Sequence, residues 1–294
     1  METVAHWREA QDALGKGDTA RAVACLEKVV AADPANVEAY RALGRILRLA
    51  GRPDDAAAWY RRCLDVAPGD AIATMGLVAL GRAPAPSRLP NEVVLYVFDG
   101  NAESYEANMR SLGYSGPAVA LDLLRKVVGA EDGSLDVLEL GCGSGLFGPL
   151  ARRFARRLVG VDLSPRMLAL AAGKQVYDEL IESELVEYLA TAADKFDVVV
   201  AVNVLMYFGD LAPLAEGVAR VLRSGGSFLF DVEKGEGPAP GFHVSGRYTH
   251  SRDLLERALL PRGFTFARFE EAAMRTERGV PVAALCCAAR KNQD

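Results

Sequence analysis

The sequence predicts a two-part chain: an all-α stretch of helical repeats, then an α/β domain on a mostly parallel, doubly wound sheet. Three observations carry this. Residues 5–68 repeat with a period of 34. Residues 135–165 read as strand, glycine turn, helix, strand and acidic residue. The chain closes with two strand-like runs, Phe264–Met274 and Val280–Ala289, joined by a charged turn at Thr276–Gly279, which form an antiparallel hairpin.

Composition narrows the function. The 294 residues are long enough for two domains and a large core, and 50% apolar with 25% charged is ordinary for a globular protein. The net charge of −5, with no run of Lys/Arg, speaks against nucleic acid as substrate. The N-terminal METVAHWREAQ has neither the positive region nor the apolar core of a signal peptide. Apolar runs such as Val198–Val202 and Val280–Ala289 are too short to cross a bilayer, so no membrane role is expected. Cys25, Cys63, Cys142, Cys286 and Cys287 show no C-x-x-C spacing and read as small apolar fillers in a reducing compartment; adjacent Cys286 and Cys287 face opposite sides of a strand. A cytoplasmic location follows.

In the first part Gly17 recurs as Gly51, Ala22 as Ala56, Leu26 as Tyr60, and Asp33-Pro34 as Ala67-Pro68. With Tyr40, Leu43 and Gly44 this resembles the tetratricopeptide (TPR) repeat, whose small residues let paired helices approach and whose proline ends the unit. The first repeat is degenerate, with His6, Glu9 and Ala10 at the matching places, and a third helix, Ala71–Leu80, covers the open end. TPR-like helices bind a protein partner in their groove or serve as a structural cap or dimerisation element; both readings stand. Charges cancel over residues 1–82, so no acidic or basic peptide is preferred. The organisation is 1–82 TPR-like repeats, 83–90 a Pro-rich linker, and 91–294 the α/β domain.

The α/β domain is organised around its first strand and turn. Val137, Leu138 and Leu140 suit a buried parallel strand. Gly141, Cys142, Gly143, Ser144 and Gly145 let the backbone bend and approach a ligand closely. A helix is expected over Leu146–Arg157, its positive end facing that ligand, then a strand over Leu158–Val161. Asp162 at its tip is placed to accept hydrogen bonds from ribose hydroxyls. Leu146 breaks the dinucleotide fingerprint, no Gly-Lys-Ser/Thr follows, and Ser144 is out of frame for a nucleophile elbow. Glu139, Gly141, Gly143, Gly145 and Asp162 resemble motif I and the next acidic position of class I S-adenosylmethionine (SAM) dependent methyltransferases. The resemblance implies SAM as cofactor and a Rossmann-like seven-stranded sheet of order 3-2-1-4-5-7-6 with its last strand antiparallel.

Phe98-Asp99, Ala102 and Tyr105-Glu106 resemble the helix that closes over SAM in small-molecule methyltransferases. Leu112-Gly113-Tyr114 and Pro117 narrow the likeness to TPR-bearing methyltransferases related to the Williams–Beuren-region methyltransferase-like protein. Tyr105 and Tyr114 are rigid amphipathic side chains, suited to a lid or to filling an interface. Pro117 starts an amphipathic helix. Ser164 caps a helix that begins at Pro165; Leu163 and Met167 match positions that contact adenine in the resembled family, although Met167 equally suits the core. A third strand is placed at Leu180–Val186, where Glu184 and Leu185 match the family's adenine-reading pair. Phe196–Val202 is a buried parallel strand with Asn203 at its ligand-binding end. The following Val204-Leu205-Met206-Tyr207 is not the Asn-Pro-Pro-Tyr/Phe of adenine and glutamine amino methyltransferases, and Tyr207 is placed as a pocket wall.

Methyl transfer from a sulfonium needs alignment and exclusion of water, and a general base only where the nucleophile arrives protonated. Arg247-Tyr248-Thr249-His250 matches a signature of the resembled branch; it makes His250 a candidate base or a structural histidine, and Arg247 a candidate anion binder. No metal ligands are indicated. Three functions compete: a methyltransferase for a small-molecule methyl acceptor (O- or N-methylation), a protein methyltransferase recruiting substrate through the TPR-like helices, and a non-catalytic SAM-binding scaffold.

Overall fold

The computed structural model describes residues 2–277 and 279–293, so residue 278 of the expected Thr276–Gly279 turn lies outside the described residues. Two compact units separate. One ends at Pro86 and takes in Phe242–Arg247; the other holds Ser87–Gly241 and the chain from Tyr248 onward.

The first unit stacks α1 (Glu2–Gly15), α2 (Thr19–Ala32), α3 (Val37–Leu49), α4 (Pro53–Val66) and α5 (Ala71–Ala79). Side chains of Asp18, Asn36 and Asp70 accept the backbone N–H three residues on at 3.0, 3.0 and 2.7 Å, starting α2, α3 and α5. Pro53 opens α4, where its missing N–H costs no bond. The small residues of the repeat act through Tyr60. Its ring is 2% exposed and wedged so tightly that a Cβ on Gly44 or Gly76 would lie 2.5 or 2.3 Å from it. Ala42, Leu43, Ala56 and Ala57 close the core around it.

The second unit opens with α6 (Asn91–Asp99), α7 (Ala102–Ser111) and α8 (Gly116–Val128). Then follow β1 (Leu135–Leu140), α9 (Gly148–Ala151), β2 (Ala155–Asp162), α10 (Pro165–Ala172), β3 (Glu179–Glu182), α11 (Leu185–Thr191) and β4 (Phe196–Ala201). The remainder is α12 (Ala212–Val221), β5 (Leu222–Lys234), β6 (Gly241–Phe242), β7 (Tyr248–His250), α13 (Arg252–Leu259), β8 (Phe264–Glu277) and β9 (Val280–Lys291). β3, β2, β1, β4 and β5 are parallel neighbours in that order. β9 then pairs antiparallel with β5, and β8 antiparallel with β9. With the short β6 and β7 set aside, this is the expected order 3-2-1-4-5-7-6. β7 pairs in parallel with Glu233 and Lys234 at the far end of β5. Side chains alternate to two cores: Leu138, Val159, Val199 and Cys287 meet α11, α12 and α13, while Val137, Leu158, Val198 and Cys286 meet α8 and α9.

Three elements differ from expectation. The helix after the glycine turn is one turn long, Gly148–Ala151, and β2 begins at Ala155 rather than Leu158. Ala and Arg favour helix locally, but Arg156 bonds Asp136 on β1 (2.8 Å) and Arg157 bonds Asp194 (2.7 Å), pulling the segment into the sheet. The third strand stops at Glu182 because Ser183-Glu184 turns into α11, with the Glu184 carboxylate capping the Glu187 N–H at 3.0 Å. β5 itself runs through Ser224-Gly225-Gly226 with an irregularity, where the register with β4 shifts between Phe196 and Val198.

Candidate active site

At the carboxyl ends of β1, β2 and β4 lies a cavity of about 920 Å³, open to solvent. β1 delivers Glu139 to its floor, where burial pushes the carboxyl up to about 8 and the Tyr177 hydroxyl donates to it at 2.8 Å. The chain then turns with φ +65° at Gly141 and +53° at Gly143. A Cβ on Gly141 would meet Val204 at 2.4 Å, whereas a Cβ on Gly143 would meet nothing within 4 Å. The backbone at Gly143 therefore faces open cavity. The Asp162 carboxylate at the tip of β2 locks this turn, accepting the Gly143 N–H at 2.8 Å and the Ser164 N–H at 2.9 Å. Burial raises its pKa, and those backbone donors oppose the shift.

The far wall is the end of β4. Asn203 adopts φ +61°, and its N–H donates to buried Asp231 at 2.7 Å. Burial lifts the Asp231 carboxyl to about 6. Arg275 of β8 reaches the Asn203 side-chain oxygen at 3.2 Å and pairs with Glu233 and Glu277. A short 3₁₀ turn, Leu205–Tyr207, sets Tyr207 on the wall.

The roof comes from the helices before β1. Tyr105 and Phe98 meet edge to face with centroids 6.0 Å apart, and Phe98 and Tyr207 at 5.7 Å. Burial raises the pKa of Tyr105 and Tyr114, so both phenols stay neutral at physiological pH. The roof is tied to α10: the Ser164 hydroxyl donates to Asp99, Arg166 to the Asp99 carbonyl at 2.8 Å, and Lys174 pairs with Glu106 at 2.8 Å. A strap completes it. Leu89 donates its N–H to Tyr207 O at 2.8 Å, and Arg88 pairs with Glu184 at 2.5 Å.

Most sequence candidates therefore converge: Glu139, Gly141, Cys142, Gly143, Asp162, Leu163, Glu184, Leu185, Asn203, Tyr105, Tyr114 and Tyr207 all line the cavity. Four do not. Met167 is 0% exposed and packed in the interior, because α10 turns that face toward the sheet. Gly145 is taken up in the turn itself, with Ala171, Lys174 and Tyr177 within 3.2 Å of where its Cβ would stand. His250 is 1% exposed in β7, its Nε2 turned to the Gly209 carbonyl at 3.4 Å, and burial lowers its pKa; the ring is neutral and does not line the cavity. Arg247 falls in the Phe242–Arg247 segment of the first unit and does not line the cavity. Sequence reading missed Arg88, Leu89, Asn91 and Val94, which line the cavity, and Asp231 and Arg275 behind Asn203. The residues 88–90 stood in a stretch read as spacer, and their single usable signal was the basic Arg88 among apolar neighbours.

The donor set fits a nucleoside with a charged tail. Bare backbone at Gly143, a buried carboxylate at Asp162 and the buried Glu139 offer what a ribose and an ammonium group require. Among the described residues no cluster of metal-ligating side chains occurs, and no helix is long and apolar enough to cross a membrane.

Residues 138–230 match the family model described as a methyltransferase domain, and residues 8–71 match the tetratricopeptide repeat. Among curated relatives, the ubiquinone biosynthesis O-methyltransferase of Thiobacillus denitrificans is 30% identical over 155 residues, 49% of this chain and 63% of that protein. The malonyl-[acyl-carrier protein] O-methyltransferase of Yersinia pestis is 25% identical over 147 residues, 50% of this chain and 52% of that protein. The chain thus spans between half and two thirds of these relatives. Among solved structures, the magnesium protoporphyrin IX methyltransferase of Synechocystis PCC 6803 with bound S-adenosylhomocysteine (SAH) aligns with TM-score 0.54 at 16% identity, covering 69% of this chain and 99% of that one. The 1,6-didemethyltoxoflavin-N1-methyltransferase of Burkholderia thailandensis aligns at 0.55 and 19%, covering 72% and 94%. At such identities the likeness is one of fold. The second unit has the class I methyltransferase fold, and the first carries TPR repeats.

Proposed function

We propose that this protein is a SAM-dependent methyltransferase acting on a small molecule. The observation that carries the reading is the bare-backbone bend at Gly141–Gly143, locked by Asp162 and facing an open cavity. The methyltransferase-domain match over residues 138–230 supports it. In this reading Glu139, Gly141, Gly143, Asp162, Leu163 and Leu185 hold the cofactor, which when bound supplies an electrophilic methyl on a sulfonium. Asp162 has both oxygens on backbone N–H groups, yet each keeps a lone pair for a ribose hydroxyl. Tyr105, Tyr114 and Phe98 exclude water from above, and Tyr207 and Asn203 orient the acceptor. Orientation of this kind can supply about 7–11 kcal/mol of the barrier. The phenols of Tyr105 and Tyr114, held neutral by burial, keep their protons rather than remove one from the acceptor.

The finer resemblance, to the TPR-bearing branch related to the Williams–Beuren-region protein, is supported by Phe98, Tyr105 and Tyr114 sharing one roof. The TPR match supports the first unit as the place for a protein partner. Five free, buried cysteines suit the cytoplasm. Calorimetry with SAM and SAH tests the cofactor assignment; absence of binding to the intact protein refutes it. Radiolabelled SAM incubated with metabolite extract and, separately, with lysate protein tests the acceptor class, and label on protein alone overturns the small-molecule reading.

A further inference from the structure

Tyr177 belongs to no motif of the sequence and lies in the connection between α10 and β3, yet its hydroxyl donates to Glu139 Oε2 at 2.8 Å. The phenol does not itself line the cavity; Glu139 does. Three glycines leave room for the ring. A Cβ on Gly148 would lie 2.5 Å from the hydroxyl oxygen, one on Gly160 3.0 Å from the ring, and one on Gly145 3.2 Å from it. The segment carrying the ring is tied to β2 by its next residue. The Asp178 N–H donates to the Leu158 carbonyl at 2.9 Å, and the Asp178 carboxylate accepts the Leu158 N–H at 2.7 Å and pairs with Arg152 at 2.5 Å. The phenol is thus held between the glycine turn, α9 and β2.

Among the described residues nothing else bonds the Glu139 carboxylate. With Oε2 taken by the phenol, Oε1 is the oxygen left for the cavity. A carboxyl 3% exposed keeps its proton unless donors favour its charged form. Burial drives the Glu139 carboxyl up, the phenol works against that rise, and nearby Asp162 adds to it. Burial also raises the pKa of Tyr177, so its hydroxyl retains the proton it donates.

We infer that Tyr177 is a positioning residue: it fixes one oxygen of Glu139 and commits the other, as an anion, to the ammonium of the cofactor's amino-acid tail. This rests on the SAM reading. Without the hydroxyl the carboxyl is free to turn and to stay neutral, and a neutral group attracts a cation poorly. Recognition of the ribose, which falls to Asp162 in that reading, does not depend on Tyr177.

The test measures by calorimetry how the full chain binds SAH, which carries the tail, and 5′-methylthioadenosine, which shares the nucleoside thioether but lacks the tail. Tyr177→Phe keeps the ring between the glycines and removes only the hydroxyl. SAH should then bind about ten- to a hundredfold more weakly, the worth of one hydrogen bond to a charged group, with methylthioadenosine changed by less than about threefold. In a Glu139→Gln background the same removal should change SAH affinity by less than about threefold, a coupling that lost packing would not produce. Where methylthioadenosine is too weak to titrate, the Glu139→Gln comparison decides alone. Should Tyr177→Phe not fold, Gly148→Ala sets a methyl against the hydroxyl and should give the same loss, confined to the ligand with the tail. Equal losses for both ligands, unchanged SAH affinity in Tyr177→Phe, or the same loss in the Glu139→Gln background overturns the inference and leaves the SAM reading intact. Failure of SAH to bind the wild type overturns both.

Discussion

Replacing Asp162 by alanine tests the site most directly, because the structure gives that carboxylate two duties. Its oxygens accept the N–H groups of Gly143 at 2.8 Å and Ser164 at 2.9 Å, both in partly buried surroundings. Alanine leaves two backbone donors unsatisfied, at about 1–3 kcal/mol each, so the protein should lose roughly 2–6 kcal/mol of stability. For a unit of this size about 1 kcal/mol moves the midpoint by about 2–4 °C, so the thermal transition should fall by roughly 10 °C. If ribose hydroxyls also bond the carboxylate, each is worth about 1.5–3 kcal/mol, and SAM affinity should fall by two to four orders of magnitude. Calorimetry at 25 °C, with circular dichroism confirming that the variant is folded, separates the two effects. Asp162→Asn is the control: its amide retains one acceptor oxygen, so it should lose about half the stability decrement while still binding weakly. A folded Asp162→Ala variant with wild-type affinity for SAM would falsify the cofactor assignment; an unchanged melting temperature would remove the locking role.

Glu139 makes stability depend on pH. Its carboxyl titrates near 8 in the native state against an ordinary 4.5, so between those values the folded protein binds a proton that the unfolded chain releases, and ligand-free stability falls as pH rises through that window. Glu139→Gln should flatten that slope in melts recorded from pH 5 to 9; an unaltered slope would show that the group is not buried as described. Binding of a cationic tail should drive a proton off Glu139 near pH 7, seen as calorimetric enthalpies that change with buffer ionisation heat. His250→Gln should leave methyl transfer within about twofold at neutral pH, because the ring faces the Gly209 carbonyl rather than the cavity; a loss beyond tenfold would reinstate it as a base. Gly44→Ala places a methyl 2.5 Å from the Tyr60 ring and should cost about 1–3 kcal/mol in the first unit, read as a lower thermal midpoint with SAM binding retained.

Much of this molecule could be read from short-range pattern. The Glu139–Gly145 turn and the Asp162–Pro165 cap encode their own geometry: glycines reach positive φ without strain, and Ser164 caps α10 within three residues, its hydroxyl accepting the Met167 N–H at 3.1 Å. The C-terminal hairpin and the repeat helices are legible for the same reason, since turns, caps and periodicity are properties of neighbours along the chain.

What lay beyond the sequence depends on partners far apart in it. Arg156 and Arg157 sit in helix-favouring company until Asp136 and Asp194 draw them into a strand. Nothing in Arg247-Tyr248-Thr249-His250 foretells that β7 aligns beside β5 and turns the His250 ring to the Gly209 carbonyl. Arg88 and Arg275 carry no local mark, being single cations in a proline-rich stretch and a long strand. Only the folded chain sets one against Glu184 and the other against Asn203, because a charge acquires its role from whatever long-range pairing surrounds it. The sequence alone determined the glycine turn and the acidic residue at the tip of the next strand, whose backbone conformations are local; the tertiary structure decided the opposite wall, built from β4, β8 and the helices before β1.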